Sequence, residues 1–219
     1  MKILAIKNHH AEGLGYIEEV LKDRGVDFEY CEAWNGDRKT GGDAYIILGG
    51  PMGVYESDRY DFLKWEIDLI RNEKNRLILG ICLGAQLIAG AYGKRVYPHI
   101  REIGWFQVEK VADDPIFHGI PERIEVFQWH GDTFDLPDDA KLVFRGEQVQ
   151  NQGFRVNNAV GIQFHLEMTL DLIEEWVRTT EGVDDRIIEE SKDRIEEHNR
   201  LCEIMVDNLI REIEKNHNI

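Results

Sequence analysis

The chain is short of cysteine, of positive charge and of long apolar runs. Three cysteines, Cys31, Cys82 and Cys202, stand far apart in 219 residues; an odd, dispersed set excludes both a disulfide framework and metal-knuckle spacing. No apolar run approaches the ~18 residues of a membrane-spanning helix, and Met1 to Ile6 reads as a strand rather than a charged-then-apolar leader. A cytoplasmic protein with reduced thiols is expected. Lysine and arginine number 26 against 42 acidic residues, a formal net charge of −16, which opposes non-specific binding to nucleic acid or anionic lipid. Neither is expected as a partner. Much of the acidic excess lies late, at Glu174, Glu175, Glu181, Asp184, Asp185, Glu189, Glu190, Glu196 and Glu197, where it reads as solvated helix faces. Internal repeats and low-complexity tracts are missing as well.

What is present fits one α/β domain. Strands are expected at Lys2 to Ile6, Val26 to Tyr30, Ala44 to Leu48 and from Leu77, with helices over Tyr16 to Arg24 and around Phe62, Trp65, Ile67, Leu69 and Ile70. Ala44 to Leu48 is wholly apolar, as in a central strand covered on both faces. This order predicts a mostly parallel, doubly wound sheet. Beyond Gly93, alternating segments (Trp105 to Val111, Ile124 to Gln128, Lys141 to Arg145, Gly153 to Val156, Val160 to Phe164) predict a mixed or antiparallel extension that returns to the sheet. An amphipathic helix follows over Thr169 to Thr180, then a long C-terminal helix from about Asp184 towards Asn216. Residues 1–180 form the expected domain and residues 181–219 its helical extension. The apolar stripe Ile187, Ile188, Ile195, Leu201, Cys202, Met205, Leu209, Ile210 and Ile213 fits packing on that domain or on a second copy, as in a homo-oligomer.

The whole chain is organised around Leu77 to Tyr92. An apolar strand runs into Gly80-Ile81-Cys82-Leu83-Gly84 and then into an Ala/Leu-rich helix. A cysteine between Ile and Leu alone would read as a small buried hydrophobe. The G-x-C-x-G spacing is instead that of a nucleophile elbow, whose small flanking residues let the backbone turn sharply with the side chain held outward. Cys82 then faces a helix N-terminus, which favours the thiolate.

A thiol nucleophile needs a base, and the base needs a group that fixes its tautomer. Of eight histidines, His165 follows a buried strand at its carboxyl end, where open α/β sheets place their sites. Glu167, at His-x-Glu spacing in extended chain, projects to the same side and can hold one ring nitrogen while the other faces the thiol. Acyl transfer also needs oxyanion donors. The Leu83 N–H follows the nucleophile, and the Gly49-Gly50-Pro51 turn offers Gly50, since Pro51 has no N–H.

Gly80-Ile81-Cys82-Leu83-Gly84-Ala85-Gln86, Gly49-Gly50-Pro51 and Gly161-Ile162-Gln163-Phe164-His165-Leu166-Glu167 together resemble class I, triad-type glutamine amidotransferases, nearest the GMP-synthase-like branch. The resemblance spans roughly Lys2 to Trp176. It implies Cys82, His165 and Glu167 as the catalytic triad, Gly50 and Leu83 as the oxyanion hole, and Gln86 as a contact of bound glutamine. Gln128-Trp129-His130-Gly131-Asp132-Thr133 resembles that branch's loop near the substrate's amino and carboxylate groups, so Trp129, His130 and Asp132 join the expected substrate contacts; on residue types alone, His130 and Asp132 around a glycine read equally as an Asx-type turn. Leu166 stands where the family commonly has proline. No phosphate-cradling glycine motif of an ATP-pyrophosphatase is present, so a standalone glutaminase domain is expected, with L-glutamine or a γ-glutamyl compound as substrate, an ammonia-accepting synthetase subunit as partner, and no metal or organic cofactor. One alternative is a γ-glutamyl peptidase with the same machinery, for which Tyr55, Arg101 and Trp129 are the groups that could line the leaving-group side; the other is a non-catalytic binding subunit that docks through the acidic C-terminal helix.

Overall fold

In the first strand, successive side chains enter two different buried layers. Ile3 and Ala5 pack with Leu14, Ile17 and Leu21, whereas Leu4 and Ile6 pack with Phe62, Leu63, Leu87 and Ile88. Both faces of the sheet are therefore covered, which is why its strands read as unbroken apolar runs. The computed structural model describes residues 1–217. In chain order it comprises β1 (Lys2–Lys7), α1 (Tyr16–Asp23), β2 (Asp27–Glu32), β3 (Ala44–Ile47), α2 (Asp61–Asn72), β4 (Leu77–Ile81), α3 (Leu83–Ala91), β5 (Val96–Lys110), β6 (Arg123–Phe134), β7 (Lys141–Gly146), β8 (Gly153–Val156), β9 (Ala159–Ile162), α4 (Leu170–Thr179) and α5 (Arg186–His217).

The strands form one sheet in the order β2-β1-β3-β4-β9-β8-β7-β5-β6. Neighbours from β2 to β9 are parallel, and those from β9 to β6 antiparallel. The parallel half with helices on both faces, the antiparallel extension and the long C-terminal helix are those expected. β3 lies between β1 and β4, so the Gly49-Gly50 turn and the Cys82 elbow leave adjacent strands at the same sheet edge.

Several boundaries differ from expectation, and β5 begins at Val96 rather than Trp105. β9 ends at Ile162 rather than Phe164, and His165 lies beyond it, fixed by an isolated bridge in which its N–H donates to Phe127 O at 2.9 Å. Gln128 to Thr133 is neither a loop nor an Asx turn. It is the outer half of β6, paired with β5 through Glu102↔His130, Pro98↔Asp132 and Tyr97↔Thr133, with a register shift between Pro98 and Glu102. Pairing with a distant strand overrides the local turn propensity of His130-Gly131-Asp132.

Of the two homes open to the α5 stripe, the structure fills the one on the domain itself. Leu201, Cys202, Met205, Leu209 and Ile213 enter the same core layer as β1, β3 and α1. Asn208 Nδ2 donates to Ile116 O (3.1 Å) and His118 O (2.8 Å), and Arg155 bridges Asp114 and Glu212. Among the described residues no helix is long and apolar enough to cross a membrane.

Candidate active site

Among the described residues Cys82 is one of two non-glycine residues with positive φ, at φ 52° and ψ −106°, a conformation that costs about 1–3 kcal/mol. Its flanking glycines are obligatory. A Cβ on Gly80 would lie 2.5 Å from the backbone of Gly84, and one on Gly84 would lie 2.1 Å from Ile47 O. The elbow is held to the neighbouring strand by Cys82 N–H donating to Ile162 O at 2.8 Å. Leu83 opens α3, so its N–H belongs to the unpaired first turn of a helix. The Cys82 thiol is directed at Trp129 O, 3.8 Å away.

His165 is fixed from three sides. Its Nδ1 lies 2.6 Å from Glu167 Oε1, its ring stands edge-on to Trp176 at 5.2 Å, and its backbone is bridged to β6. The remaining nitrogen, Nε2, is buried. Burial opposes a charge on the ring, yet Glu167 and Cys82 outweigh it and raise the His165 pKa well above its ordinary value. Those two groups therefore act on the imidazole together. α1 locks the Glu167 backbone: Tyr16 N–H donates to Glu167 O at 2.8 Å, and a Cβ on Gly15 (φ 51°) would lie 2.0 Å from that oxygen. α5 backs the same segment with two buried groups. Burial drives the His198 pKa down to about 3 and the Cys202 thiol well up, the charge of Glu167 adding to the latter.

Gly50 and Leu83 adjoin, since a Cβ on Gly50 would lie 3.0 Å from Leu83 Cδ2 and 3.2 Å from Asn8 Cβ. Asn8 steadies the turn from below, Nδ2 donating to Leu48 O (3.0 Å) and to Glu66 Oε2 (3.2 Å). Glu66 is fully buried on α2, and burial raises its pKa to about 8, the Asn8 hydrogen bond and Arg38 pulling the other way. The folded state thus holds a proton that the unfolded chain releases above its ordinary carboxylate pKa. This term favours folding below about pH 4.5 and is lost as pH rises towards about 8. Glu66→Gln is expected to stabilise the protein by roughly 2–4 kcal/mol at pH 8 and little at pH 4.5. Denaturant unfolding at the two pH values checks this, and equal effects at both would contradict it.

The pocket containing Cys82 and His165 has a volume of about 400 Å³, within the range of small-molecule sites. Gln86, Trp129, His130, Asp132, Tyr55, Arg101 and Glu12 also line it. Gln86 Nε2 donates to Gln163 Oε1 (3.1 Å) and reaches Asp132 O (3.5 Å). Both His130 nitrogens are engaged within the protein, Nε2 by Glu102 Oε2 (3.1 Å) and Nδ1 by Asp132 O (3.0 Å), so the ring braces the Asp132 backbone. Behind it, Gln152 Nε2 donates to Glu102 Oε2 and Gln128 Nε2 to Gln152 Oε1. Burial raises the Asp132 carboxyl, partly offset by the Tyr55 hydroxyl.

Asn8, Glu12 and Glu66 were not among the sequence-predicted residues. Glu66 had a signal: it lies four residues from both Phe62 and Ile70, inside the apolar stripe of α2. Glu12 had none, sitting in a short polar loop whose neighbours come from elsewhere in the chain. Burial raises its pKa to about 7, opposed by His165 and Lys7 and helped by Glu167. No group of three or more His, Cys, Asp or Glu side chains placed to hold a metal ion occurs among the described residues.

An α/β sheet with a cysteine elbow, a histidine–carboxylate pair and a glycine turn on the adjacent strand is the architecture of a thiol acyl-transfer enzyme family. Residues 14–177 match the family model of class-I glutamine amidotransferases, and the chain belongs to that family. It is 36% identical to a glutamine amidotransferase from Thermotoga maritima, whose crystal structure superposes with a TM-score of 0.90 over 98% of both chains. It is also 36% identical over 147 residues to the glutamine-hydrolyzing GMP synthase of Thermomicrobium roseum, a match covering 64% of this chain and 27% of that protein. The chain spans about a quarter of the length of the curated relatives it matches. A glutamine amidotransferase structure from Methylobacillus flagellatus, 24% identical, shares the fold with a TM-score of 0.87, covering 96% of this chain and 94% of that one.

Proposed function

We propose that the protein hydrolyses the γ-amide of L-glutamine through a γ-glutamyl thioester on Cys82. The observation that carries this reading is the buried His165, paired at 2.6 Å with Glu167 and electrostatically coupled to the elbow thiol. His165 takes the thiol proton as the sulfur attacks the γ-carbonyl carbon and the C–S bond forms. The carbonyl electron pair moves onto oxygen, where the Leu83 and Gly50 N–H groups receive it; one such donor is worth roughly 3–4 kcal/mol of barrier. When the pair returns, the C–N bond breaks, nitrogen takes the proton from His165, and ammonia departs. Water, deprotonated by His165, then adds to the thioester; the C–S bond breaks, releasing glutamate and restoring the thiol. Gln86, Trp129 and Asp132 form the wall that meets the substrate's amino and carboxylate groups, with His130 holding Asp132 in place.

An ammonia-consuming synthetase subunit is the partner this reading implies, in keeping with the GMP synthases of which the chain matches about a quarter. The setting we infer is cytoplasmic, in keeping with three unpaired buried thiols. A second reading, γ-glutamyl peptidase, is favoured by a pocket that continues from Cys82 to Arg101, Thr179 and Thr180, where a larger leaving group would fit. The isolated protein decides between them through kcat/KM for L-glutamine and for γ-glutamyl-cysteinyl-glycine. Glutamine is expected to be preferred. A hundredfold preference for the tripeptide, about 2.7 kcal/mol of transition-state discrimination, would replace the first reading by the second.

A further inference from the structure

We propose that Glu12 determines leaving-group specificity: its carboxylate accepts an N–H of the departing γ-nitrogen and so favours amides over esters. The inference rests on the γ-glutamyl hydrolase reading above and adds a residue and a selectivity to it. Glu12 lies in the loop after β1, its own N–H donating to His9 O at 3.1 Å. Its carboxylate closes over Gly49, where a Cβ would lie 3.1 Å from Oε2. The missing side chain at Gly49 leaves room for the carboxylate beside the Gly50 turn. There it lines the same pocket as Gly50, Cys82 and His165, and among the described residues it makes no hydrogen bond or ion pair.

The electrostatic neighbours of the pocket's carboxylates divide it into two ends. His165, Glu167 and Lys7 act on Glu12, whereas Tyr55, His130 and Glu56 act on Asp132. Asp132 thus belongs with Gln86, whose Nε2 reaches its carbonyl at 3.5 Å, and Glu12 with the imidazole that delivers the proton to the leaving atom. A primary amide brings two N–H groups to that end. As the C–N bond breaks the nitrogen gains the third hydrogen from His165, and an acceptor at its side strengthens its hold while that charge develops. An ester oxygen carries no hydrogen, so Glu12 would face lone pairs and lose its partner, the type of mismatch that gives polar sites their largest discrimination.

The test compares L-glutamine with the γ-methyl ester of L-glutamate, which share an acyl group and differ only in what leaves. Acylation, the step in which the leaving group departs, is read by kcat/KM. In Glu12→Ala the amide-to-ester ratio of kcat/KM is expected to fall at least tenfold relative to wild type, and in Glu12→Gln, which retains a neutral acceptor, by less. The near-isosteric Glu12→Gln also carries the test alone if Glu12→Ala does not fold, a fall of threefold or more being expected. A ratio unchanged within twofold in folded variants, including an equal loss for both substrates, would overturn the role of Glu12 and leave the hydrolase reading standing. Wild-type protein that turned over neither compound would overturn both.

Discussion

Cys82→Ala is expected to lower L-glutamine hydrolysis by about 10⁴-fold or more, the scale on which loss of a triad nucleophile acts, with the thermal unfolding midpoint little changed. The substitution removes one sulfur atom from a side chain whose approach to the backbone, at Trp129 O, is a long 3.8 Å. The chain's other thiols cannot replace it. Cys31 is buried on β2 with its pKa raised by burial, and its sulfur accepts the Lys39 N–H at 3.3 Å. Cys202 faces the core, its thiol held protonated by burial and by the charges of Glu167 and Glu203. A thiol kept neutral and enclosed is a poor nucleophile. Near-normal turnover in Cys82→Ala, with activity lost in Cys202→Ala, would remove the elbow from the mechanism.

The second large effect separates the base from the group that orients it. His165→Ala is expected to cost about as much as loss of the thiol, and Glu167→Gln roughly 10- to 100-fold less, because proton transfer disappears in the first and only its alignment weakens in the second. The surroundings of the ring explain why alignment partly survives. Trp176 still stands edge-on at 5.2 Å, and the His165 backbone is still bridged to Phe127. Glu167 also holds α1 through its carbonyl, which Gln retains. Steady-state kcat/KM on folded variants checks the order. Equal losses would contradict separate roles, and a larger loss for Glu167→Gln would make the carboxylate a direct participant.

The elbow was legible in the sequence because its cause is local: a Cβ at Gly80 or Gly84 collides within the turn or with the next strand, so the spacing itself states the geometry. The parallel half of the sheet was legible for a similar reason, since burial on both faces leaves unbroken apolar strands. His165 and Glu167 could be paired from their spacing, although the strand before them ends earlier than its composition suggests. The outer half of β6 could not be read. His130, Gly131 and Asp132 have the composition of a turn, and only Glu102, Pro98 and Tyr97 across the ribbon make them strand. Glu12 shows the same limit more sharply. Its surroundings are supplied by Gly49, His165 and Glu167, and no window of neighbouring residues contains them.

Mass spectrometry of the protein after treatment with an electrophilic glutamine analogue, such as a chloroketone in place of the γ-amide, tests the central claim most directly. Acylation chemistry at an elbow thiol predicts one adduct per chain, located on the peptide that contains Cys82, suppressed by excess L-glutamine and absent from Cys82→Ala. An adduct on Cys31 or Cys202, or labelling of Cys82 that L-glutamine does not slow, would contradict it.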